Sequence, residues 1–242
     1  MAQDSATAPP VSRHWRVCLA DVPIPPYISL DAKRPGIAER LLQDTAKQLG
    51  LSLDFDVFPS KRCRLRLQLG QSDAIPVAPT AGNLNDMQFP MRNGAVDFNR
   101  RVASAQLVWV KRKDSALAWD GQNLQGAEAG AVLVGTRASF RAAIETARAL
   151  GLKVDDTAFD VSQLFRKLAA HRVDVVAVLR EEAEAHADEL ARHGLQVLPV
   201  PVSNSDFYLG IRTGQSPERQ AQAEAWWDAI AKLRDKPEYR PR

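Results

Sequence analysis

Apolar positions along the chain keep switching between two periods. Leu51, Leu53, Phe55 and Val57 alternate with Ser52, Asp54 and Asp56, the period of two of a half-buried strand. Just before them, Ile37, Leu41, Leu42, Thr45 and Leu49 fall on one stripe of a helix that Gly50 stops. Extended along the chain, the same reading predicts a strand over Trp15–Ala20, then a loop forced by Pro23, Pro25 and Pro26 and ending in Tyr27. A helix follows over Gly36–Leu49, a strand over Leu51–Phe58, a helix opened by Pro59-Ser60 with Ser60 as N-cap, and a strand over Ser72–Val77. Residues 79–100, with Gly82, Pro90 and Gly94, read as one long irregular stretch, a length that marks a functional or mobile loop. Val102–Lys111 reads as a strand and Gly121–Gly130 as turns. Then Ala131–Val134, Ser139–Leu150, Lys153–Ala158, Val161–Ala170, Asp174–Leu179, Glu181–Arg192 and Gln196–Val200 alternate strand and helix, which implies a parallel sheet. Asp206–Arg212 brings the chain back, Ser216–Arg234 makes a terminal helix carrying Trp226 and Trp227, and residues 1–13 and Pro237–Arg242 read as disordered or tail-like ends.

One phrase occurs twice. Leu67-Gln68-Leu69-Gly70-Gln71-Ser72-Asp73-Ala74-Ile75 recurs as Leu168-Ala169-Ala170-His171-Arg172-Val173-Asp174-Val175-Val176. Each copy ends an amphipathic helix, turns sharply and starts an apolar strand behind an Asp. Gly70 suits the left-handed residue past a helix end, and His171 holds that place in the second copy, where a non-glycine residue is less tolerated. A spacing of about 100 residues is far beyond the repeat length of solenoids, so the phrase indicates two similar α/β units. A cleft between two such units is where small ligands bind.

Composition narrows the class. Hydrophobic residues make up 45% and charged residues 25% of the 242, the balance of a globular domain. With a net charge of only +3 and no zinc finger or arginine-rich tail, nucleic acid is not expected as a partner. No apolar run reaches the ~20 residues of a membrane span. Met1-Ala2-Gln3 reads either as the remnant of an A-x-A signal cleavage site or as an ordinary start. Cys18 lies in the first strand and Cys63 in the first turns of the helix after the second. In a right-handed parallel unit of order 2-1-3 that helix crosses strand 1, which brings the two sulfurs within reach. A disulfide there points to an oxidising compartment; the alternative is two buried free thiols.

The order of elements resembles the type II periplasmic substrate-binding proteins, of the family 3 kind that feed polar amino acid ABC transporters. The resemblance runs over roughly residues 14–234. It is carried by the opening strand with its Pro-Tyr loop (Val17 to Tyr27), Gly36-Ile37 entering the first helix, and the Leu-Gly-Gln-Ser-Asp-Ala phrase. The strand Leu107–Lys111, the Gly135-Thr136 turn and the late Phe207-Tyr208-Leu209-Gly210-Ile211 strand complete it. It implies an α/β fold of two Rossmann-like lobes joined by two crossing strands: lobe 1 over residues 14–105, lobe 2 over 106–204, and a C-terminal return to lobe 1 over 205–242. It also implies hinge closure on a ligand and delivery to a membrane permease, in a secreted, periplasmic protein whose signal peptide has been removed. Amino acid binders of this kind carry a Thr and then an Arg after the third strand, and an Asp after the fifth. Here Thr80 is followed by no Arg through Asn85, Leu179-Arg180 stands in the Asp position, and Met87–Arg101 is longer than the family pattern.

Ligands of open α/β sheets sit beyond the carboxyl ends of the strands. That rule selects Asp21 and Tyr27 after strand 1, Phe58 and Arg62 after strand 2, Pro79 and Thr80 after strand 3, and Thr136, Arg137, Ser139 and Arg180 in the second unit, with Asp160 and Ser162 as helix caps. Tyr27 and Phe58 read either as aromatic walls or as loop packing under the Pro cluster, Arg62 either as a planar fork for a carboxylate or phosphate or as part of a solvated face with Lys61, Arg64 and Arg66, and Thr136–Ser139 as either an anion-binding helix start or simple capping. His186 and His193 lie two turns apart on one predicted helix, too sparse a set for zinc. Neither a cofactor nor a metal is expected, and no nucleophile elbow is present. The expected function is non-enzymatic capture of a small polar solute, with an anion among the candidates, by a monomer. Two rivals share the fold: a cyclohexadienyl-dehydratase-like enzyme, which needs a general acid such as Asp21 or Asp160, and a soluble sensory or regulatory binding protein.

Overall fold

The computed structural model describes residues 12–126, 128 and 130–241; the reading of Met1-Ala2-Gln3 and of the first eleven residues lies outside them. The chain opens with β1 (His14–Ala20), α1 (Ile37–Gln48), β2 (Ser52–Phe58), α2 (Ser60–Gln68) and β3 (Ala74–Val77). β1 pairs in parallel with β2, from His14 opposite Ser52 to Ala20 opposite Phe58, and with β3 through Val17 and Ala74. This 2-1-3 order carries α2 over β1, and Cys18 and Cys63 are joined by a disulfide with Cα atoms 5.5 Å apart. Ser60 is the first helical residue and not the cap: Pro59 holds the N-cap position and supplies no side-chain hydrogen bond.

Residues 79–100 are not one irregular loop. They form α3 (Ala81–Asp86), β4 (Met87–Gln88), a small hairpin of β5 (Met91–Arg92) and β6 (Ala95–Val96), and a 3-10 turn over Phe98–Arg100. The reasons are local. Thr80 Oγ1 accepts from the Asn83 N–H at 3.3 Å and starts α3. Asn93 and Gly94 both take positive φ, 52° and 79°, as a two-residue hairpin turn requires.

The second unit contains β7 (Ala103–Arg112), a hairpin of β8 (Ala118–Trp119) and β9 (Leu124–Gln125), β10 (Leu133–Arg137), α4 (Arg141–Ala149), β11 (Lys153–Ala158), α5 (Val161–Ala169), β12 (Val175–Leu179), α6 (Arg180–Ala185), α7 (Ala187–Arg192) and β13 (Leu195–Val197). β14 (Ser203–Arg212) and α8 (Pro217–Leu233) close the chain. β10 starts two residues later than expected and ends three later, because Gly135 and Thr136 continue the strand. Gly135 pairs with both β11 and β12, and a Cβ added there would come within 3.0 Å of Val176. The helix expected over Glu181–Arg192 is two, broken at His186, whose Nδ1 lies 2.8 Å from the Glu182 carbonyl oxygen. The expected C-terminal tail is anchored: Tyr239 is buried and its hydroxyl donates to Asp44 at 2.7 Å, which together with burial pushes its pKa up to about 12.

The doubled phrase is the same motif built twice. The Gly70 N–H donates to the Leu67 carbonyl and the Gln71 N–H to that of Arg66; His171 and Arg172 repeat both bonds to Leu168 and Lys167. This is a Schellman helix end, with Gly70 at φ 70° and His171 at φ 54°. Asp73 then grips the first strand of its unit, accepting from the Arg16 N–H at 2.8 Å, and Asp174 accepts from the Leu133 N–H at 2.8 Å.

The strands run in the order β11-β10-β12-β7-β14-β3-β1-β2. β7 and β14 are shared between the units. Ala103–Leu107 pairs antiparallel with Ser203–Phe207, after which β7 pairs with β12 and β14 with β3. The C-terminal helix returns to the first unit: Trp226 Nε1 donates to Thr45 Oγ1 and Trp227 Nε1 to the Leu209 carbonyl, both at 2.8 Å. One apolar cluster runs from Trp15 and Leu41 through Leu107 and Trp109 to Val134. Separate clusters form behind α5 and around the disulfide.

Reducing the Cys18–Cys63 bond, which spans 45 residues, should lower unfolding stability by about 2–4 kcal/mol; a urea midpoint indifferent to reductant would contradict the bond. Gly70→Ala should cost about 1–2 kcal/mol. The nearest atoms to an added Cβ are 3.8 Å away, so backbone conformation alone sets the cost, and an unchanged midpoint would reject the left-handed assignment.

Candidate ligand-binding cleft

β1 and β3 end opposite β10 and β12, and a cavity of about 80 Å³ lies between the two units there. Val22, Ile24, Ile75, Phe140, Leu179 and Phe207 give it apolar walls. Three arginines also line it, each brought by a different element.

Arg137, the last residue of β10, is 3% exposed. Its Nη2 lies 2.7 Å from Glu182 Oε1, and the Glu182 side chain is fully buried. Glu182 Oε2 also accepts from the Leu179 N–H at 3.1 Å, so the end of β12 and the start of α6 hold the carboxylate in place. The Nε of Arg137 has no hydrogen-bond partner among the described residues. Arg141, the first residue of α4, reaches across the cleft. It donates to Asn83 Oδ1 at 2.9 Å and lies 3.4 Å from Asp86 Oδ2. Beside it the Ala81 N–H donates to Glu145 Oε2 at 3.2 Å, so α3 and α4 are tied to each other across the gap.

Arg64 completes the set. On α2, Ser60, Cys63 and Arg64 all face the cavity, at the i, i+3, i+4 spacing of one helix face. Burial pushes the Arg64 pKa down, as does the neighbouring charge of Arg141, with Asp86 acting in the opposite sense. Among the described residues no ion-pair partner lies within 4.0 Å of its guanidinium.

Of the residues selected from sequence, Thr80, Arg137 and Ser139 meet on this cavity. Thr80 does so while capping α3. Arg62 points to solvent above the Phe58 ring, 5.8 Å from its centroid, and Arg66 stacks on the same ring at 4.5 Å while pairing with Asp56. Phe58 is therefore covered by arginines and is not on the cavity wall. Tyr27 is buried at the crossing, its hydroxyl 2.7 Å from the Ser104 carbonyl oxygen and 3.0 Å from Glu181 Oε1. Burial first, and then Glu181, push its pKa well above the usual tyrosine value. Pro79 lines a neighbouring opening beside Glu145 and Asp206. Thr136 is fully buried in the sheet, and neither it nor Ser139 caps α4, whose N-cap position is Phe140. Arg180 turns away from the cavity, donating to Gln106 Oε1 at 2.7 Å and to the Pro199 carbonyl at 3.0 Å. Asp21 is engaged through its backbone N–H with the Phe58 carbonyl. Asp160 caps α5 by accepting from Gln163, and Ser162 donates to Glu189. His186 and His193 belong to no group of three or more metal-ligating side chains among the described residues. Arg64, Asn83 and Arg141 are the cleft residues that sequence reasoning did not select. For Arg64 the signal was present, because the bonded Cys63 fixes which face of α2 turns inward.

No family model matches the chain, and no curated protein sequence does either. Solved structures match over nearly their whole length. The GluR0 ligand-binding core from Nostoc punctiforme, in complex with L-glutamate, is 14% identical, covers 93% of this chain and 95% of its own, and has a TM-score of 0.68. The substrate binding protein of an amino acid ABC transporter is 18% identical, covers 92% and 94%, and scores 0.65. An ancestral amino acid-binding protein, a precursor of cyclohexadienyl dehydratase, is 19% identical, covers 91% of each chain and scores 0.64. At such identities the likeness establishes the fold: this chain has the two-lobe periplasmic binding protein architecture that its element order resembles.

Removing Glu182 leaves the buried Arg137 charge uncompensated. Glu182→Ala should cost about 3–5 kcal/mol in urea unfolding, and a loss below about 1 kcal/mol would mean that Arg137 is not held by this pair.

Proposed function

We propose that this chain is an extracytoplasmic solute-binding protein that closes its two lobes over a small polar anion and presents it to an ABC-type permease. The observation that carries this reading is the Arg64 guanidinium, half-buried on the wall of the interlobe cavity beside Arg137 and Arg141 without an ion-pair partner among the described residues. A cation withdrawn from water without a counter-charge favours an anion at that point. In this reading residues 14–105 and 205–242 form lobe 1 and residues 106–204 form lobe 2. Both boundaries fall where Ala105 and Gln106 face Ser205 and Asn204 on the crossing ladder. A ligand held by α2 on one side and by β10 and α4 on the other makes all its contacts only when the lobes are shut. Binding then shifts the open–closed balance by its differential affinity for the two states. The disulfide supports an oxidising compartment.

A second reading is favoured by the likeness to the dehydratase precursor. It calls for a general acid at the ligand, and Asp21 and Asp160 are not on the cavity wall. Turnover of a prephenate-like cyclohexadienyl acid by the purified chain would establish it in place of simple capture.

The capture reading is tested by a thermal-shift panel of amino acids, carboxylates, polyamines and phosphates. At about 100 times Kd a ligand adds about 2.7 kcal/mol, several degrees in Tm for a chain of this size. Arg64→Ala should weaken an anionic hit more than tenfold and Arg62→Ala should leave it unchanged. A panel with no hit, or equal effects of the two substitutions, would sink the reading.

A further inference from the structure

The donors and acceptors around the cavity are unbalanced, and the imbalance bears on which anion it takes. No Asp or Glu is among its lining residues. The carboxylates that touch the wall residues are already engaged: Glu182 with Arg137, Asp86 with Arg141, and Glu145 with the Ala81 N–H. Of the side-chain acceptors on the wall, Asn83 Oδ1 takes the Arg141 proton and Thr80 Oγ1 that of the Asn83 N–H, which leaves the hydroxyls of Ser60 and Ser139, groups that donate as readily as they accept. The donors are in excess among the described residues: Arg137 Nε is buried without a partner, and no carboxylate lies within ion-pair distance of Arg64. Everything else on the wall is largely hydrocarbon, from Val22 and Ile75 on lobe 1 to Phe140 and Leu179 on lobe 2.

We infer that the ligand is a compact carboxylic acid with an apolar body and no ammonium group, rather than an α-amino acid; this rests on the capture reading above and names its substrate class. An α-amino acid brings an ammonium that must be paired when it is buried. Here it would meet no free carboxylate and would lie among three guanidinium groups. A carboxylate alone finds the fork of Arg64, while a short hydrocarbon body covers the apolar walls. The volume of about 80 Å³ is well below the ~300–1,000 Å³ of ordinary small-molecule pockets, which favours a body of a few carbons in this arrangement of the lobes.

The test uses matched pairs that differ only in the ammonium: propanoate against alanine, 3-methylbutanoate against valine, and 3-phenylpropanoate against phenylalanine, with inorganic phosphate as a bodiless anion. Each is titrated calorimetrically into the full chain. At least one acid should bind tenfold or more tighter than its amino acid partner and tighter than phosphate, and Arg64→Gln should weaken it at least tenfold. An amino acid that binds as well as or better than its acid overturns the inference and leaves the capture reading standing, as does binding of phosphate alone. Silence from all of these and from the wider panel overturns both. The pairs are compared in the unaltered chain, so the result does not depend on whether the Arg64 variant folds.

Discussion

The molecule is organised by one five-residue antiparallel ladder, Ala103–Leu107 against Ser203–Phe207. Each of its two strands begins in one lobe and ends in the other, so the ladder both joins the lobes and fixes the direction in which they face each other. The parallel strands on either side then point their carboxyl ends at the same gap. Side chains brace the crossing instead of leaving it as bare backbone. Arg180 reaches from α6 to Gln106 and Pro199, Tyr27 meets Ser104 and Glu181, and Ser104 bonds Asp206 across the rung. Two strands form a narrower connection than either lobe's packed interior, so bending concentrates there.

Electrostatics in the cleft follow from that geometry. Two of the three arginines are neutralised by the protein itself, and in different ways. Arg137 is matched inside lobe 2 by a fully buried carboxylate, a pairing that depends on burial and geometry together. Arg141 is matched across the gap, by Asp86 at 3.4 Å and by its bond to Asn83. Arg64 is matched by nothing within ion-pair distance among the described residues. The cleft therefore carries a pair within one side, a pair that spans the gap, and a guanidinium with no carboxylate in ion-pair distance among the described residues.

Much of the fold was legible because it is local. The doubled phrase encodes a Schellman end followed by a strand-gripping Asp, and both copies form those bonds. Given a 2-1-3 strand order, the right-handed crossover rule put Cys63 within reach of Cys18, and of the two outcomes left open, a disulfide or free thiols, the bond is the one formed. Other local signals were present and passed over. Asn93-Gly94 is a hairpin turn by its residue types, yet its two-residue strands are too short for periodicity to mark. Gly135 and Thr136 read as a turn because a glycine before a helix usually makes one, whereas here the glycine admits Val176 against the strand.

Taken alone, the sequence determined most of the longer helices and strands, the turns of the doubled phrase, the two-unit organisation and the reach of Cys18 to Cys63, because periodicity and left-handed turn residues act over a few positions. The tertiary structure decided which charges matter. Arg62 and Arg64 sit two places apart on one short helix with similar neighbours, and only the packing of Cys63 and Leu67 against lobe 1 sends the first to solvent and the second into the cleft. Whether an arginine is paired likewise depends on carboxylates distant in sequence, such as Glu182 for Arg137, and chain-local patterns carry no record of those distances.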